Sequence, residues 1–122
     1  MLKKVSDLTG AELDYAVAMV EGEDYSPNIT YNGIGLEYPA TEYSTNWAQG
    51  GPIIEREKIT LSYGLGIRSN LWFAEKYQCY AAGRNTTSQQ YGPTPLIAAM
   101  RCYVASKLGN TVEIPDEIGA KQ

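Results

Sequence analysis

The chain predicts an α+β fold: a small antiparallel sheet of about three to five strands, packed by an N-terminal and a C-terminal helix. Three observations predict it. Two segments, one towards each end, carry helix caps followed by apolar residues at helical spacing. The stretch between them holds only short runs that alternate in polarity or are rich in aromatic and β-branched residues, the pattern of strands. The order helix, strands, helix then lets both helices bury their apolar stripes on one face of a sheet. At 122 residues the chain reads as one domain, 1–122, large enough for its own core and without room for a second.

The elements follow in order. Thr9-Gly10-Ala11-Glu12 reads as a capping box, in which the Thr hydroxyl meets an exposed N–H and Glu12 reaches back. Leu13, Ala16, Val17 and Val20 fall on one stripe behind it, and Gly22 supplies a stop. Residues 23–47 are polar, tyrosine-rich and punctuated by Gly and Pro. Within them Ile29-Thr30-Tyr31 and Ile34-Gly35-Leu36-Glu37-Tyr38 read as short strands joined at Asn32-Gly33, a hairpin signal. Trp47-Ala48-Gln49-Gly50-Gly51-Pro52 reads as a glycine-rich loop or tight turn. Glu55-Arg56-Glu57 leads into Ile59-Thr60-Leu61-Ser62-Tyr63, whose alternation marks a strand. Leu71-Trp72-Phe73-Ala74 and Tyr77-Gln78-Cys79-Tyr80-Ala81 are two further strands, with a polar loop expected over residues 83–91.

The closing helix carries the clearest signals. Thr94 is a good N-cap, Pro95 takes the favoured first helical position, and Gly109 is a natural stop. Leu96, Met100, Tyr103 and Val104 share a face, expected to pack on the sheet beside Leu13, Val17 and Val20. Lys107 sits near the negative end of the helix dipole. Residues 110–122 read as a short irregular tail.

Ten tyrosines stand against one phenylalanine, and there is no histidine. A phenolic ring offers a flat apolar face and a hydroxyl that both donates and accepts, which suits a surface gripping a planar, polar partner. Tyrosine is also a good strand residue, so a small sheet could simply use it. Missing histidine removes the commonest general base and the commonest metal ligand. A net charge of −4 argues against non-specific binding to duplex DNA or RNA, where a basic stripe supplies most of the affinity. Arg56, Arg68, Arg84 and Arg101 could still converge on a local cationic pocket. No run approaches membrane-spanning length, and Met1–Asp7 is not followed by the apolar stretch of a secretory signal. Cys79 and Cys102 are far apart and lack zinc or redox spacing. No catalytic residue, metal site or cofactor is expected.

Two segments could bind a ligand. Gly92-Pro93-Thr94-Pro95 opens a helix, where unpaired N–H groups and the macrodipole favour an anion; the same cap could equally serve the fold alone. In Trp47–Pro52 the Trp can stack on a base, Gln49 can read an amide edge, and Gly50 and Gly51 can point backbone N–H groups at a ligand, with Pro52 closing the segment. A tight turn with a buried Trp is the rival reading. Glu55 and Glu57, two apart, would share one face of a strand, either for acid–base or metal work or as a solvated edge.

Four blocks together resemble a known family: Lys4-Val5-Ser6-Asp7-Leu8-Thr9-Gly10, Leu13-Asp14-Tyr15, the run Trp47 to Glu57, and Gly92 to Cys102. They are similar to the NinX family, small accessory proteins of tailed phages and prophages that carry a domain of unknown function. The resemblance spans roughly residues 4–110. It implies a non-virion protein made in the host bacterial cytoplasm, and it supplies no activity. The setting it implies is one where small acidic phage proteins act by binding, one class of them sequestering nucleotide signals of antiviral systems. The expectation is therefore a non-enzymatic binder of a small nucleotide-derived ligand, a homo-oligomer with Trp47, Gln49, Gly50, Gly51, Pro52, Gly92, Pro93, Thr94 and Pro95 lining one pocket near Arg56 or Arg101. The alternatives are a protein–protein inhibitor using the tyrosine-rich 25–47 surface, and a double-stranded RNA binder, which has the same element order but needs a basic cluster.

Overall fold

Caps and stops place two of the three helices where local chemistry puts them. The computed structural model describes residues 1–22, 42–64, 70–80 and 83–115, with the side chains of 78–87 outside that description. The elements are β1 (Leu2–Lys4), a single 3-10 turn (Val5–Asp7), α1 (Gly10–Glu21), α2 (Trp47–Glu57), β2 (Thr60–Tyr63), β3 (Trp72–Tyr80), β4 (Gly83–Gly92), α3 (Pro95–Leu108) and β5 (Thr111–Glu113). This is the expected α+β class, with helices flanking antiparallel strands. Among the described residues the sheets are two, a three-stranded one in the order β2-β3-β4 and a two-stranded one joining β1 to β5.

Gly22 ends α1 in the left-handed conformation, at φ 81°, its N–H reaching the carbonyls of Ala18 and Met19. Thr9 is the N-cap, as expected, but its side chain makes no capping bond; Glu12 pairs with Lys3. In α3, Thr94 Oγ1 accepts from the Ile97 N–H at 3.1 Å and Pro95 opens the helix. At the far end the Gly109 N–H reaches Ala105 O at 3.0 Å.

Helix α2 corrects the loop expected at Trp47–Pro52 and the strand expected at Glu55–Glu57. Two glycines and an internal proline are poor helix formers. Tertiary packing overrides that propensity here. Asn46 caps the helix, its side chain accepting from the Ala48 N–H at 2.9 Å. Ile53 is buried, and Ile54 packs against the core. Gly50 lets the helix lie against α3, because a Cβ there would meet Leu96 Cδ1 at 2.6 Å and Tyr43 O at 2.4 Å.

Three further corrections concern strands. The two strands expected at 71–74 and 77–81 are one, β3, with a bulge between Lys76 and Tyr77. The polar loop expected at 83–91 is β4, paired antiparallel to β3 from Trp72↔Gly92 to Tyr80↔Gly83. Pairing with a neighbour satisfies its backbone, so a polar sequence can hold a strand without an apolar face of its own. The tail expected at 110–122 contains β5, which pairs with β1 from Leu2↔Glu113 to Lys4↔Thr111. The hairpin expected at 29–38 lies outside the described residues.

Helix α3 is the centre of the molecule. Leu96, Ala98, Ala99, Met100, Cys102, Tyr103 and Val104 are all buried, so the helix is enclosed on more than one side. Its small residues turn to the sheet: Ser88 Oγ of β4 donates to Cys102 O at 2.9 Å, and Gly92 lies against Ala98. Leu96 and Tyr103 turn to the other helices. Leu96 meets α2, and Tyr103 bonds Glu21 of α1 and Arg56 of α2. At Leu96 and Tyr103 the expected stripe therefore faces the other helices rather than the sheet. Leu13 and Val17 of α1 are fully buried in the same core, with Val20 packed against it.

Candidate functional site

Two clefts lie on either side of the short turn that joins β4 to α3. The first, about 210 Å³, is lined by Ser44, Thr45, Trp47, Thr94, Pro95, Leu96 and Ile97. Both α2 and α3 begin here, so two positive dipole ends approach one space, with Asn46 capping the Ala48 N–H, Thr94 capping the Ile97 N–H and Pro95 contributing none. Trp47 is 54% exposed although it sits at the first turn of a packed helix.

Ser44 lies at the back of this cleft and is only 1% exposed. Its N–H donates to Asp14 Oδ1 at 2.8 Å, tying the segment before α2 to α1. Its hydroxyl lies near the Asp14 carboxylate, yet makes no well-formed hydrogen bond among the described residues. Burial raises the Asp14 carboxyl above its ordinary value, against the lowering effect of the bonds from Ser44.

The second cleft is about 320 Å³ and lies between the end of β4 and the 3-10 turn. Ser6, Leu71, Gln89, Gln90, Tyr91, Gly92, Pro93 and Arg101 line it. Arg101 is 8% exposed. Its Nε donates to Leu8 O at 2.9 Å and its Nη1 to Tyr91 O at 2.7 Å, so it joins the 3-10 turn segment to the edge of β4. Gly92 is required where it stands, because a Cβ would fall 2.6 Å from the Ala98 nitrogen.

The residues singled out from sequence are therefore divided. Trp47, Thr94 and Pro95 share the first cleft, while Gly92, Pro93 and Arg101 share the second. Gln49 lines neither; its Oε1 accepts from the Glu42 N–H at 2.7 Å and steadies the turn before α2. Gly50 is buried between Tyr43 and Leu96, Gly51 lies beside the Trp47 ring, and Pro52 is exposed.

Arg56 also lines neither cleft. It pairs with Glu21 at 2.7 Å and Glu57 at 2.9 Å, and its Nη2 donates to Tyr103 Oη at 2.9 Å. Glu57 further holds Lys76 at 2.6 Å and Lys107 at 3.5 Å. Burial works against ionising Glu57, but the bonds from Lys76 and Arg56 prevail and hold its carboxyl down at about 2. Burial and the bond to Glu21 raise the Tyr103 phenol. Glu55 and Glu57, on a helix rather than a strand, do not share one face. Arg68 lies outside the described residues, as does the side chain of Arg84.

Sequence reasoning missed Ser44, Thr45, Leu96 and Ile97 in the first cleft and Ser6, Leu71, Gln89, Gln90 and Tyr91 in the second. One signal was legible: Asn46 directly before Trp47, with Ile53-Ile54 further on, is an N-cap leading into an apolar pair. Nothing local marks the second cleft, whose walls come from four separate parts of the chain.

A family model described as Bacteriophage P22, NinX matches residues 4–107. No curated protein matches the chain. No helix among the described residues is long and apolar enough to cross a membrane.

Proposed function

The chain belongs to the phage P22 NinX family, and we propose that it is an accessory protein that binds and sequesters a small nucleotide-derived ligand without cleaving it. The ligand class is a cyclic ADP-ribose-type or cyclic-dinucleotide signal, held in the host bacterial cytoplasm so that antiviral signalling is blunted. The observation that carries this reading is Trp47, an exposed indole at the mouth of a cleft formed where α2 and α3 begin. Stacking of a base on an aromatic ring contributes about 1–3 kcal/mol. The positive ends of the two helix dipoles favour the negative groups such a ligand carries.

The cleft holds about 210 Å³, below the roughly 300–1,000 Å³ of sites that enclose a small molecule. A second subunit closing over Trp47 supplies the missing wall, so the proposal includes a homo-oligomer. Native mass spectrometry of protein from infected cells, with calorimetry against cyclic nucleotides and ADP-ribose derivatives, tests the reading. The expected result is an intact ligand released on denaturation, and binding weakened by Trp47→Ala. No binding across the panel would turn the reading towards a protein–protein inhibitor of a host factor. A cleaved product would overturn the non-catalytic part.

A further inference from the structure

Arg101 is a buried cation with no ion-pair partner among the described residues. Its two hydrogen bonds go to the carbonyls of Leu8 and Tyr91, which satisfy Nε and Nη1 but carry no net charge. It forms no ion pair among the described residues, and no hydrogen bond of its Nη2 is found there. Asp7, in the adjoining 3-10 turn, acts on it at longer range. Burying a guanidinium without a paired charge is unfavourable. Desolvation accordingly pulls Arg101 below its ordinary value.

The position of this cation is informative. Arg101 lines the cleft of about 320 Å³ together with Ser6, Gln90 and Pro93, and that cleft opens to solvent. A guanidinium held rigidly by two carbonyls is pre-organised, so little side-chain entropy is lost when its free edge meets an oxyanion. Ser6 and Gln90 add a hydroxyl and an amide, groups that donate to such oxygens.

We propose that the cleft between the 3-10 turn and the end of β4 is a binding site for a phosphate-type oxyanion, with Arg101 as its charged contact. The site stands on its own geometry and goes beyond the Trp47 reading. Inorganic phosphate and a phosphate monoester share this chemistry, and they form two arms of the test.

Arg101 cannot simply be removed, because it also joins Leu8 to Tyr91. The wild-type chain is therefore titrated with inorganic phosphate, and separately with AMP, at constant ionic strength while the arginine Nε–H resonances are followed by NMR. The Arg101 signal is expected to shift saturably, whereas Arg56, exposed and already paired with Glu21 and Glu57, serves as the control. Gln90→Glu places a carboxylate in the cleft and should weaken phosphate binding at least tenfold while thermal unfolding shows an intact fold. Asp7→Asn removes a competing negative charge and should tighten it several-fold. An Arg101 signal that stays still, moves only in proportion to Arg56, or is indifferent to Gln90→Glu would overturn the site. Saturation by phosphate, with nothing bound at Trp47 across the panel of cyclic nucleotides and ADP-ribose derivatives, would leave this site standing and remove the nucleotide reading. Nucleotide binding that quenches Trp47 while Arg101 stays still would do the reverse.

Discussion

Gly50 of α2 lies so close to Leu96 of α3 that a Cβ built on it would stand 2.6 Å from Leu96 Cδ1. The Tyr43 carbonyl oxygen, on the other side, would be 2.4 Å away. A methyl group therefore has no room without moving backbone. Its neighbour Gly51 meets nothing closer than Trp47 Cε3 at 3.9 Å. Two adjacent glycines in one helix thus predict opposite outcomes. Gly50→Ala should destabilise by about 1–3 kcal/mol through overpacking. Gly51→Ala should stabilise by about 0.5–1 kcal/mol, the ordinary gain in a helix interior. Urea denaturation of the two variants distinguishes them. Equal effects would mean that α2 and α3 are not in this close contact.

Asp14 predicts a difference between two replacements. Its Oδ1 accepts from the buried Ser44 N–H, and its charge is disfavoured by burial. Asp14→Asn retains an acceptor and removes the charge, so it should be neutral or stabilising at pH 7. Asp14→Ala leaves the Ser44 N–H without its partner and should cost about 1–3 kcal/mol. Because the folded-state value is raised, the disadvantage of Asp14 against Asn is present at neutral pH. It should shrink as pH falls and the carboxyl takes up its proton. Thermal melts of the three proteins across the acid range check both the order and its pH dependence.

Glu57 predicts acid sensitivity of the opposite sign. Its carboxyl is held at about 2, against an ordinary 4.5, despite burial, by Lys76 and Arg56. A depressed carboxylate contributes stability above its unfolded value and loses it as pH falls through the folded one. Unfolding free energy should therefore fall between about pH 5 and pH 2, by on the order of 2–3 kcal/mol for a shift of this size. Glu21, lowered by its bonds to Arg56 and Tyr103 despite burial, acts in the same direction. Denaturation across this window should show a flatter dependence in Glu57→Gln. An unchanged slope would mean that the cluster around Arg56 is not formed in solution.

Met100 tests the core itself. It is fully buried at the middle of α3. Met100→Ala should cost about 2–5 kcal/mol, the range for emptying a well-packed site. A loss well under 1 kcal/mol would mean that the side chain is exposed in solution.

Local chemistry made α1 and α3 legible, and it did so residue by residue. Thr94, Pro95 and Gly109 act through bonds within a few positions of themselves, as does Gly22. Helix α2 was not legible from the glycines and proline it contains, because what holds it is its approach to Leu96 and the burial of Ile53. The polar run at 83–91 has the composition of a loop, and its strand character comes from pairing with β3 rather than from any apolar alternation.

The ligand-binding candidates divide in the same way. Sequence alone singled out Trp47, Thr94 and Pro95 by residue type and cap chemistry, and the fold brings these three to one cleft. It offered Arg56 and Arg101 as equivalents. Only tertiary structure separated them, pairing Arg56 with Glu21 and Glu57 while burying Arg101 against two carbonyls at the edge of a different cleft. The physical reason is range. A cap or a stop is settled by neighbours within one turn of chain, whereas the counterion of a guanidinium is settled by whichever distant segment the core brings to it, and in this core Leu8 and Arg101 meet across 93 positions.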